Sequence, residues 1–64
     1  MLHWWPPWRR RTALEMQAAA WKWRHGKHAA RLASQRSMDA YLLGDLAEQE
    51  RWGRIRELIE ASER

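Results

Sequence analysis

The chain has 64 residues, a net charge of +4, six Trp, no Phe and no Cys. Such a length allows one small domain, and the missing cysteines exclude disulfides and thiolate zinc sites. No uncharged stretch approaches the ~20 residues that span a bilayer, and the chain start lacks a basic-then-aliphatic secretory pattern, so a cytoplasmic protein is expected.

The charge is split along the chain. Residues 1–36 hold eight Lys/Arg against Glu15 alone, a net of +7, whereas residues 37–64 hold four Arg against seven Asp/Glu, a net of −3. Opposite signs favour antiparallel pairing of the two halves, within one chain or between two.

Residues 3–11 read HWWPPWRRR. Pro6 and Pro7 stiffen the segment in an extended form, and Trp and Arg are the residues most enriched at binding hot spots. Residues 1–11 are therefore read as a docking segment, with Trp4, Trp5 and Trp8 as anchors and Arg9, Arg10 and Arg11 as a polar rim. The alternative is that these Trp fold back and cap the chain's own domain. In composition the segment resembles the Trp/Pro/Arg-rich cathelicidin-type antimicrobial peptides, which lie in membrane interfaces. The resemblance covers nine residues of 64, and the helix that follows departs from it.

From residue 12 to residue 64 the pattern is that of a single helical domain. There is one Tyr, no Val and no alternating apolar run, so strands have no support. The favoured parse is an all-α helical hairpin, with helices near 8–33 and 38–62. Thr12-Ala-Leu-Glu15 fits a capping box, so the first helix begins between Pro7 and Ala13. Ser34 to Ser37 is read as the turn, with Ser37 as N-cap of the second helix. Three shorter helices are the alternative: Gly26 suits a helix end, and Gly44 followed by Asp45-Leu-Ala-Glu48 offers a second capping box.

At about 100° per residue, the first helix carries two apolar stripes. Leu14, Ala18, Trp21, His25, Ala29 and Leu32 fall together, and Met16, Ala19, Trp23 and Ala30 lie nearly opposite. Trp21 and Trp23 therefore cannot share one core. A helix apolar on two sides is sandwiched between its sister helix and something else, which makes Met16 and Trp23 a second candidate contact. A basic ridge of Arg24, Lys27 and Arg31, extended by Lys22 and Arg36, runs between the stripes. Clustered cations with interleaved Trp suit phosphates and unpaired bases, but no nucleic-acid-binding motif accompanies them. Pairing with the acidic second half is the plainer use of these charges. His25 and His28 have a chelating spacing, yet too few further ligands are supplied for a metal.

In the second helix, Tyr41, Trp52, Ile55 and Ile59 share a side, while Leu42 and Leu46 are rotated away from it. That requires a kink near Gly44-Asp45 or a different neighbour for the upper part. Glu50/Arg54, Arg56/Glu60 and Glu60/Arg64 are i,i+4 pairs of a solvated face. Gly53, beside Trp52, suggests a close backbone approach or room for a neighbouring indole. Seven of the eight carboxylates sit in this half in solvent-like pairings, and no nucleophile has an assembled base.

These features lead to an expectation of a non-enzymatic accessory or regulatory protein, with no cofactor and no small-molecule substrate. It would bind a larger protein or assembly as an inhibitor, adaptor or small subunit, with a homodimer compatible. Nucleic acid through the basic half is the second reading, and an anionic membrane surface the third.

Overall fold

The computed structural model describes residues 12–63. Their fold is all-helical, with no strand among the described residues. Three helices form, α1 (Ala13–His25), α2 (Ala29–Leu42) and α3 (Leu46–Ser62), and a single 3-10 turn (Gly26–His28) joins the first two. None of them is long and apolar enough to cross a membrane.

The capping box read from the sequence fixes where α1 starts. The Thr12 hydroxyl oxygen accepts from the Glu15 backbone N–H at 3.1 Å, and the Thr12 N–H donates to Glu15 Oε1 at 2.9 Å. Thr12 itself is extended, with ψ 162. The helix expected from residue 8 therefore begins at Ala13, and residues 8–11 lie outside the described residues. The same helix was expected to run unbroken to residue 33. It stops at Gly26, whose φ of 57 and ψ of −130 fall where only glycine sits at ease.

The hairpin forms, but its turn is not at Ser34–Ser37. Those residues lie inside α2, which runs on to Leu42. Serine is only mildly unfavourable within a helix when its hydroxyl has a use elsewhere, and Ser37 Oγ donates across the hairpin to the Gln49 carbonyl at 3.0 Å. It is a strap between helices rather than an N-cap. The turn lies at residues 43–45, as in the three-helix parse. The Gly44 N–H donates to the Tyr41 carbonyl at 3.0 Å and the Asp45 N–H to the Ala40 carbonyl at 2.9 Å. With Gly44 at φ 77, this is a Schellman ending. Asp45 then caps α3 by accepting from the Glu48 N–H at 3.1 Å, so one residue closes α2 and opens α3.

α2 packs along α3, and α1 packs on α3 and more lightly on α2. Ala18, Ala29, Ala33, Ile55 and Ile59 form the buried cluster, with Leu14, Trp21, Ala30, Trp52 and Leu58 packed against it. Ile55 and Ile59 are the largest fully buried side chains; the rest of the cluster is alanine, which lets the helix backbones approach closely. Trp52, Ile55 and Ile59 face inward as expected. Tyr41 does not: it is 57% exposed, because the turn at Gly44 breaks the periodicity that aligned it with them. Ala30, placed on the outer stripe by a continuous helix, packs against the core because the bend at Gly26 rotates α2 relative to α1.

Candidate docking surface

The inner side of α1 is held to α3 by two hydrogen bonds and one ring contact. Arg51 Nη1 donates to Gln17 Oε1 at 2.8 Å, Lys22 Nζ to Ser62 Oγ at 2.9 Å, and the Trp21 and Trp52 rings meet edge to face at 4.7 Å. The Arg36 guanidinium lies 5.6 and 5.7 Å from those two rings, and Arg51 lies 5.0 Å from Trp52. Arg51 also grips Glu48 with two bonds, at 2.6 and 2.9 Å. Hydrogen bonding to this guanidinium holds the Glu48 carboxyl below its ordinary value, and the pairing raises the Arg51 pKa in turn.

These contacts leave the outer side of α1 free. Trp23 is 91% exposed and Met16 59% exposed, two turns apart on one side, with exposed Ala19 and Ala20 between them. The two-stripe reading of this helix thus corresponds to one buried and one uncovered face. A second uncovered apolar surface surrounds the hairpin turn, where Met38, Tyr41, Leu42, Leu43 and Leu46 are all more than half exposed. A break at Ser34–Ser37 sets these positions along one long helix, with Leu42 and Leu46 off its inward stripe, and so gives no tip here. The signal that finds it is the Gly44-Asp45 cap, which places Leu42, Leu43 and Leu46 on both sides of a turn.

Trp4, Trp5, Trp8, Arg9, Arg10 and Arg11 lie outside the described residues. Of the basic ridge, Arg24, Lys27 and Arg31 are exposed, with Arg31 Nη2 3.2 Å from His28 Nδ1. Lys22 and Arg36 are committed to the internal contacts above. The ridge is also not continuous, because the bend at Gly26 separates Arg24 from Lys27 and Arg31. His25 packs against Trp21 with the rings tilted by 54° and their centroids 4.1 Å apart. Among the described residues no group of three or more His, Cys, Asp or Glu could hold a metal.

No family model, curated protein or solved structure matches this chain.

Proposed function

We propose that the chain is a non-enzymatic helical accessory protein that docks onto a larger protein, as an inhibitor, adaptor or small subunit. Trp4, Trp5 and Trp8 are the anchors of this reading, Arg9–Arg11 its polar rim, and Met16 and Trp23 a second contact. The observation that carries it is the exposure of Trp23, at 91%, on a helix whose opposite side makes the core. A fully exposed indole gains nothing for the isolated fold, whereas burial in a partner's pocket is where Trp contributes most to affinity. The proline-stiffened segment loses little entropy on docking.

The test is capture from host extract with the tagged chain, with and without nuclease, at low and moderate salt. One protein should co-purify stoichiometrically, survive nuclease and salt, and be lost when Trp4, Trp5 and Trp8 are all changed to Ala; Trp23→Ala should weaken its capture. If nucleic acid is captured instead, and is lost on Arg24→Ala with Lys27→Ala and Arg31→Ala while the triple Trp variant still binds, the docking reading is wrong.

A further inference from the structure

The two uncovered apolar surfaces are rimmed by opposite charge. Along α1 and the first half of α2 the chain holds Lys22, Arg24, Lys27, Arg31 and Arg36 against a single carboxylate, Glu15, which is bonded to Thr12 in the cap of α1; from Ser37 to Glu50 it holds Asp39, Asp45, Glu48 and Glu50 and no Lys or Arg. Arg24 and Lys27 are exposed beside Trp23, and Asp39, Asp45 and Glu50 are exposed around Leu42, Leu43 and Leu46. The acidic rim of the tip repels nucleic acid and anionic lipid, and two tips placed together would set like charges against each other. What fits the tip is an apolar surface with a basic rim, and this chain carries one on α1.

From this complementarity we infer that the protein pairs with a second copy, the hairpin tip of each seating on the Met16/Trp23 face of the other. A reciprocal arrangement uses both surfaces on both chains and closes as a two-fold dimer. The seven exposed large apolar side chains among the described residues offer on the order of 900 Å² per chain, comparable with the ~800 Å² per partner of a standard interface. The inference does not depend on the docking of residues 1–11. It meets that reading at Trp23, which a second copy and a larger partner would contest.

Sedimentation velocity on the purified full chain, from ~1 to ~100 μM, tests the pairing. Leu43→Lys puts a cation into the acidic tip, and Trp23→Glu puts an anion into the basic face; both sites are more than four-fifths exposed, so the core is untouched, and circular dichroism checks that helicity is kept. The wild type should form a dimer that weakens with salt, and each variant alone should dissociate at least ~10-fold more readily. Mixing the two variants should restore a dimer. In the mixture one contact is unaltered, and in the other the introduced lysine meets the introduced glutamate. A wild type that stays monomeric, or grows beyond a dimer, overturns the inference. So does a Trp23→Glu variant that dimerises normally, which would point to tip-to-tip pairing, or a mixture that stays monomeric.

Discussion

The indole nitrogen of Trp21 donates to the carbonyl oxygen of Ala29, 2.9 Å away, across the bend between α1 and α2. Eight residues separate the two, and the 3-10 turn lies between them. The same ring meets Trp52 on α3, so one side chain sets the angle of α1 against both other helices. Trp21→Phe keeps most of the packing and removes the hydrogen bond; the expected cost is about 1 kcal/mol, read as a lower midpoint in urea. Trp21→Ala removes the ring contacts as well and should cost more, read in the same urea titration.

The three glycines should respond differently to alanine. Gly26 (φ 57) and Gly44 (φ 77) occupy left-handed backbone, and an added Cβ meets no neighbouring atom at either. The cost there is conformational, on the order of 1–2 kcal/mol each. Gly53 lies inside α3, and an added Cβ there also meets nothing within 4 Å. Among the described residues, the close approach that its place beside Trp52 suggests is not present. Gly53→Ala should therefore stabilise by up to about 1 kcal/mol, and thermal melts of the three variants should bracket the wild type.

Ala33 is fully buried between α2 and α3. Ala33→Leu should force the helices apart and cost about 1–3 kcal/mol. Ala61→Leu, on the exposed end of α3, should stay within ~0.5 kcal/mol of the wild type. Equal effects in chemical denaturation would mean that the helices are not in close contact at Ala33.

The Glu48 carboxyl, held below its ordinary value of 4.5 by Arg51, contributes stability while ionised. That contribution is complete above 4.5 and is lost as pH falls through the lowered folded-state value. The melting temperature should thus decline over this acid range. Glu48→Gln should flatten the decline and leave a slightly lower plateau at neutral pH.

Much of this architecture is legible in the residues. Helicity follows from the lack of Val and of any alternating apolar run, the start of α1 from Thr12 and Glu15, and the separation of Trp21 from Trp23 from their two-residue spacing. Ser34–Ser37 has the composition of a cap, whereas the use the Ser37 hydroxyl finds, a bond to the Gln49 carbonyl, depends on a helix twelve residues away in sequence. Gly44 and Asp45 carry the correct signal, but weighing them requires knowing that Ala33 and Ala40, two turns apart in one helix, are both buried. Periodicity also assumed a straight first helix, so the bend at Gly26 moved Ala30 inward and divided the basic ridge. The face at Met16 and Trp23 needed only local spacing; the tip needed the turn.

The alanine-lined contact between α2 and α3 has a calorimetric consequence. α2 meets Ile55 and Ile59 of α3 through alanine methyl groups, so it removes less apolar surface from water than a helix lined by larger side chains, and the heat-capacity change of unfolding scales with that surface. The stability of an isolated copy should curve gently with temperature, with a broad melt and little weakening in the cold. A chain of this kind loosens by degrees as it warms, and sharp cooperativity would have to come from whatever covers its outer faces.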